Sequence, residues 1–209
     1  MKISLPDHPL FKPIVFSTSY SKQLSVIEYP KQVRDCLKND FIAPLKTCDS
    51  IKNAIRELLR HTGFKPAGRA KPSSEYLLRS FQENSFPEVN IAVDTGNIVS
   101  LYSGIPLSVI DQSKVQEPFS ICIGKSGENY QFNKSGQTID IGGLLCFCDA
   151  SGPCANPVKD SQRTKTDGTT TDTLTILWGS KTVSEQVAKA FEWYADLLSL
   201  CNVRIDRYV

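Results

Sequence analysis

The chain has 209 residues, 40% of them hydrophobic, a formal charge of +2 and a pI near 8.1. That length buries one sizeable core, so a single domain over 1–209 is expected, and so balanced a charge neither demands nor excludes a nucleic-acid partner. No run approaches the roughly 18 apolar residues of a membrane span and the opening MKISLPDHPL has no signal-peptide core, so a cytoplasmic protein with no membrane partner is expected.

Near the start, Lys12–Phe16 reads as a strand, and Leu24–Tyr29 alternates as a second one ended by Pro30. Asp49 then caps a helix whose core face is Ile51, Ala54, Ile55, Leu58 and Leu59, with Gly63 as its stop. Lys52, Arg56 and Arg60 recur every four residues beside that face, a ridge that taken alone is accounted for by an ordinary solvated surface. The following Gly/Pro loop adds Lys65, Arg69 and Lys71 before a helix capped by Ser73 or Ser74. Residues 46–79 carry a net charge of +5 while the whole chain carries +2, so phosphate contacts are expected here.

The stretch 86–111, FPEVNIAVDTGNIVSLYSGIPLSVID, packs Glu88, Asn90, Asp94, Asn97 and Ser100 among apolar neighbours. Ile91-Ala92-Val93 reads as a short buried strand closed by a turn at Asp94-Thr95-Gly96. From Asn97 the offsets of Ile98, Leu101 and Tyr102 predict a short helix with Asn97 at its cap and Gly104 as its stop, after which Pro106 fixes the exit. Free N–H groups at a helix start favour an anion or a developing oxyanion. Asp94 or Asn97 taken alone is accounted for as a cap. Their convergence points to a site.

Beyond Asp111, Phe119–Ile123 alternates as a strand, Gly124–Gly127 turns, and Tyr130-Gln131-Phe132 reads as the returning arm of a hairpin. Leu144–Cys148 is a buried strand. Seven cysteines without an export signal argue for reduced thiols, and the spacing of Cys146, Cys148 and Cys154 with no nearby histidine is not a zinc pattern, so no metal or cofactor is expected. The polar stretch 151–171 reads as a long functional loop carrying Lys159, Asp160, Ser161, Arg163, Thr164 and Lys165. Thr171–Trp178 is a half-buried strand; Thr182 with Glu185 forms a capping box for a helix with a stripe from Val183 to Cys201, and a strand closes the chain.

The order Pro87, Asn90, Val93-Asp94, Asn97, Ser100-Leu101, Gly104, Pro106 and Asp111 resembles the signature of the editing domain of the phenylalanyl-tRNA synthetase beta subunit, the B-three/B-four domain. It is more similar still to that domain's free-standing relatives, whose Pro-Ser element is matched by Lys71-Pro72-Ser73-Ser74-Glu75 with Leu77, Leu78 and Arg79. The resemblance spans roughly residues 50–180, leaving 1–48 as an N-terminal extension and 182–209 as a packing helix plus final strand, with no counterpart of the synthetase's catalytic or anticodon modules. It implies an α+β fold, a mixed sheet with about three flanking helices.

The resemblance also implies hydrolysis of the ester of a mischarged tRNA, typically one carrying tyrosine in place of phenylalanine. An activated ester needs a positioned water, donors for the oxyanion and a selective pocket rather than a strong nucleophile. Asn90, Asp94 and Asn97 are the candidate catalytic residues; Gly96, Ser100, Pro106, Ser108, Asp160, Ser161 and Thr164 are expected to line the pocket; Lys52, Arg56, Arg60, Lys65, Arg69 and Lys71 are expected to contact tRNA. Two departures stand out: Ser108 occupies the place of a family histidine two residues after Pro106, and Gly143 that of a glutamate. Two functions therefore remain, a deacylase acting in trans in translation quality control and a non-catalytic tRNA or nucleotide-ligand binding module on the same scaffold.

Overall fold

A computed structural model describes residues 1–38 and 40–209. In chain order the elements are β1 (Ile3–Ser4), β2 (Ile14–Tyr20), α1 (Lys31–Asp35), α2 (Asp49–Arg60), α3 (Ser73–Gln82), α4 (Ile91–Ser103), β3 (Leu107–Asp111), β4 (Phe119–Ile123), β5 (Asn129–Gln131), β6 (Thr138–Asp140), β7 (Leu145–Asp149), β8 (Gly152–Ala155), β9 (Asp172–Leu177), α5 (Ser184–Ser199) and β10 (Val203–Arg207). The architecture is α+β. One sheet runs β1-β4-β7-β8, with β1 parallel to β4 and the rest antiparallel; a second, wholly antiparallel sheet runs β10-β2-β9-β3; β5 and β6 pair as a separate hairpin.

The period of two in β2 explains the layering. Ile14 and Phe16 turn toward a core shared with α2, α4 and α5, while Val15 turns the other way, into a core with Phe119, Ile121, Leu145 and Phe147 of the first sheet. Helices therefore cover one face of the second sheet and the first sheet covers the other. Phe16 and Tyr194 meet edge to face at 5.5 Å, a geometry worth roughly 0.5–1.5 kcal/mol beyond burial, and the Tyr194 hydroxyl donates to the Ala92 carbonyl at 2.9 Å, tying α5 to α4.

Several local expectations are overturned. Ile91–Val93 is the first turn of α4 and not a strand, because Asn90 caps it: its Oδ1 accepts the Val93 N–H at 3.1 Å. Ten of the helix's thirteen residues are buried, so no polar stripe marks it in the sequence. Leu24–Val26 is a 3-10 turn, and Pro30 opens α1 where a second strand was expected. Tyr130 pairs across β5–β6 with Ile139 and not back onto β4. The expected loop 151–171 contains β8, and α5 begins at Ser184 after a turn whose N–H at Thr182 is taken by Ser180, while Glu185 pairs with Lys189 at 2.7 Å. Cys122 and Cys148 are joined by a disulfide, contrary to the expectation that all seven are reduced. Burial pushes the Cys154 thiol up to about 12 and the Cys146 thiol higher still, so both remain unreactive.

Gly104 ends α4 as expected, in the left-handed region at φ 74°. A Cβ there would strike Thr47 Oγ1 and sit 3.1 Å from Ile51 Cγ2. Gly104→Ala is expected to destabilise the protein by about 2–4 kcal/mol, the left-handed penalty plus overpacking, read as a lowered urea midpoint at unchanged slope.

Candidate functional site

Asn90 does two jobs at the start of α4. While Oδ1 caps the helix, Nδ2 donates to Thr166 Oγ1 at 3.0 Å and so fastens the segment 160–167 against the helix start. Between them lies a cavity of about 220 Å³ lined by Val89, Val93, Gly96 and Asn97, by Leu107 and Val109 of β3, and by Asp160, Lys165 and Thr166. Val89, Val93, Leu107 and Val109 supply its apolar lining, and Asn97, Asp160, Lys165 and Thr166 its polar lining.

Asp160 is the titrating group in this cavity. Its Oδ1 accepts the Ser108 hydroxyl at 2.6 Å and the Asn156 N–H at 3.2 Å, and Ser108 Oγ in turn accepts the Trp178 indole N–H at 2.9 Å. Ser108 and Trp178 are fully buried. A chain of donors therefore fixes one carboxylate oxygen, while Oδ2 accepts no hydrogen bond among the described residues. Burial pushes the Asp160 carboxyl up to about 7, against the opposing pull of the Ser108 and Asn156 donors and the Lys165 charge. Local sequence builds the loop that carries it: Asn156 Oδ1 accepts the N–H groups of Val158 and Lys159, both at 2.8 Å, an Asx turn opened by Asn156-Pro157.

The expected catalytic trio separates. Asn97 lines the cavity. Asn90 is spent on the cap and Thr166. Asp94 faces the opposite side, where Oδ2 accepts the Tyr29 hydroxyl at 2.6 Å and the two oxygens accept the Val89 N–H at 2.9 and 3.2 Å, beside another cavity of about 670 Å³. Burial raises its pKa, with the Tyr29 and Val89 donors opposing. Gly96 and Asn97 sit in the second turn of α4, where backbone N–H groups are used within the helix, so oxyanion donors must come from side chains.

Of the expected pocket residues, Gly96 and Asp160 line the cavity and Ser108 supports it from behind. Ser100 is buried elsewhere on α4, and the Pro106 carbonyl accepts the Trp178 N–H at 3.0 Å. Ser161 is buried beside Gln131, and Thr164 Oγ1 donates to the Cys154 carbonyl at 3.1 Å. Among the expected tRNA contacts, Arg56 forms a two-pronged pair with Glu75, both bonds 2.6 Å, and so is neutralised rather than presented. Lys52 and Lys71 border a groove between α2 and α3, Arg60 is exposed, and Lys65 and Arg69 face a separate cleft with Lys159. Lys165, Thr166, Asn156 and Trp178 belong to the site but lay outside the expected set. The sequence signals for them were the polar loop that carries Lys165 and the Asn-Pro turn before Asp160.

Among the described residues no group of three or more His, Cys, Asp or Glu could hold a metal ion, and no helix is long and apolar enough to cross a membrane.

Among solved structures, an N-terminal fragment of the phenylalanyl-tRNA synthetase beta subunit from Pyrococcus horikoshii matches 98% of this chain at 10% identity and a TM-score of 0.51. The chain spans about half of that fragment, 50% of its length. A TILS C-terminal domain overlaps 36% of this chain and 71% of its own at 14% identity and a TM-score of 0.32. No curated protein matches in sequence. The B3/4 domain model matches residues 64–190, well over half of the sequence and all of the cavity described above. The chain belongs to the B3/4 domain family.

Proposed function

We propose that this chain is an aminoacyl-tRNA deacylase acting in trans in the cytoplasm, with the cavity between α4, β3 and Asp160 receiving the aminoacyl end. The observation that carries the reading is the placement of one carboxyl, pushed up to about 7 by burial, held on one oxygen by Ser108 and open on the other, in a cavity it shares with Asn97, Lys165 and four apolar side chains. The family and the fold it shares with a synthetase beta-subunit fragment support a tRNA-related substrate.

In this reading Asp160 Oδ2 takes a proton from water, whose oxygen attacks the ester carbonyl carbon. The charge developing on the carbonyl oxygen is met by the Lys165 ammonium and the Asn97 amide. The bond to the ribose oxygen then breaks, Asp160 returns its proton to that oxygen, and a free amino acid and a tRNA with a free ribose hydroxyl leave. Ser108, at the position where the family resemblance leads one to look for a histidine, acts by orienting Asp160. Val89, Val93, Leu107 and Val109 select an aromatic or similar hydrophobic side chain.

Release of labelled amino acid from a panel of mischarged tRNAs tests this. The purified chain is expected to accelerate release from tRNAs carrying a hydrophobic amino acid, and Asn97→Ala to slow it roughly 10²–10³-fold, the usual cost of a lost oxyanion donor. Spontaneous rates on every member, with Asn97→Ala indistinguishable from wild type, would leave only a binding module.

A further inference from the structure

Lys65 and Arg69, on the loop after α2, and Lys159, on the loop after β8, face one cleft of about 900 Å³ whose far wall is the β5–β6 hairpin and Phe132. The Lys159 ammonium sits 4.0 Å from the centre of the half-buried Phe132 ring, and Lys165 Nζ donates to the Phe132 carbonyl at 2.6 Å. Among the described residues none of these four cations has a carboxylate within 4.0 Å. The one acid on the rim, Asp140, has Oδ1 engaged by the Gly142 N–H at 2.8 Å.

The crowding is built in. Tyr130 donates its hydroxyl to the Lys159 carbonyl at 2.6 Å and accepts the Asn156 side-chain amide at 2.6 Å, which bolts β5 to the loop that carries Lys159 and Asp160. Burial, and then the charges of Arg69 and Lys165, hold the Lys159 ammonium below its ordinary pKa, so an anion placed among these cations would favour its charged form. Cations lining a groove around an aromatic ring are the arrangement that grips unpaired nucleotides, phosphates to the charges and a base to the ring. A base-paired helix offers no free base face.

We propose that this cleft binds the unpaired 3′-terminal nucleotides of an RNA, with one base stacking on Phe132 in place of the Lys159 ammonium and the phosphates meeting Lys65, Arg69 and Lys159. The inference rests on the deacylase reading of the neighbouring cavity, which the cleft adjoins: Lys165, which lines that cavity, holds the Phe132 carbonyl, and Lys159 of the cleft directly precedes Asp160 of the cavity.

Fluorescence anisotropy with uncharged RNA hairpins, one with a short unpaired 3′ tail and one blunt, tests it on the whole chain. The tailed hairpin is expected to bind roughly tenfold or more tighter than the blunt one. Phe132→Ala is expected to lose about 5–100-fold in affinity for the tail at an unchanged salt slope. Lys65→Ala and Arg69→Ala are each expected to weaken binding and to lower the log–log salt slope by roughly 0.7. If Phe132→Ala fails to unfold cooperatively, Phe132→Leu, which fills the space without an aromatic face, replaces it with the same expected loss, and Phe132→Tyr is expected to bind as wild type does. Equal binding of tailed and blunt hairpins, or wild-type affinity in the Ala or Leu variant, overturns the proposal. Tail binding without deacylation removes the chemistry and leaves the cleft, whereas deacylation with an unchanged KM in Phe132→Ala removes the cleft and leaves the chemistry.

Discussion

Asp160→Asn is expected to lower kcat for ester release by about 10²–10⁴-fold, the range of a positioned general base, with KM nearly unchanged. Asparagine keeps an oxygen to accept from Ser108 and the Asn156 N–H, so the loop holds its shape while the proton acceptor is lost. In the wild type, burial pushes the carboxyl up to about 7, and only its ionised form takes a proton from water. Rates should therefore climb with pH to a plateau above about 7 and be flat in the variant. Stability moves the opposite way. A carboxyl whose folded pKa lies above its unfolded value of about 3.9 favours the native state most below that value. This contribution is lost as pH rises through about 7, by up to about 4 kcal/mol. Asp160→Asn should remove that slope from a series of melting temperatures, and an unaltered slope would assign the carboxyl an ordinary pKa.

Arg163→Ala is expected to cost roughly 2–3 kcal/mol, less than the ~3–5 of a fully buried broken pair because the arginine side chain is about a third exposed. Its Nη2 donates to Asp149 Oδ1 at 2.6 Å and to the Gly152 carbonyl at 2.9 Å, and Nη1 donates to Asp149 Oδ2 at 3.1 Å. The Asp149 side chain is 1% exposed, so removing the guanidinium leaves a carboxylate shut away from water. The N–H groups of Gln116 and Ser151, at 3.2 and 2.9 Å, are too few to replace it. Thermal unfolding should fall by somewhere near 10 °C, and Asp149→Asn added to Arg163→Ala should regain part of the loss. Burial alone would raise the Asp149 pKa, but Arg163 and these N–H groups hold it below the ordinary range. This pair's stability is therefore present above the unfolded carboxylate pKa and is lost as the solution is acidified. Little change in Arg163→Ala would mean that the two backbone donors suffice.

The sequence was most legible where apolar residues recur at one clean period, even in β9, which was expected to be half-buried and is covered on both faces. The four-residue recurrence from Ile51 to Leu59 and the alternation through Leu174, Ile176 and Trp178 each give an element close to its observed bounds. α4 misleads for a physical reason: a helix buried on nearly every side carries no polar stripe, so its first turn, Ile91–Val93, looks like a strand. Leu24–Tyr29 misleads in the reverse sense, since its alternation comes from a 3-10 turn running into Pro30. The start of α4 lies about two turns earlier than the expected cap at Asn97, and that shift divides the candidate site residues between two sides of the helix. With the cap at Asn90, the Asp94 side chain lies on the Tyr29 side and Asn97 on the Asp160 side, which no spacing argument with a cap at Asn97 could separate. Asp160 itself was visible as a polar residue in a long loop, but its near-neutral character comes from burial, and the hydrogen bonds that orient it come from Ser108 and, through Ser108, from Trp178, 52 and 18 residues away in sequence, so both belong to the fold.

A non-hydrolysable, amide-linked 3′-aminoacyl adenosine bound to the chain puts the cavity to its most direct test. A crystal structure should find the side chain of the amino acid between Val93 and Leu107, with its carbonyl oxygen within hydrogen-bond reach of Asn97 and Lys165 and the amide carbon facing Asp160. Density for the aminoacyl group beside Asp94 and Tyr29, or none anywhere at saturating ligand, would contradict the assignment of this cavity to an aminoacyl ester.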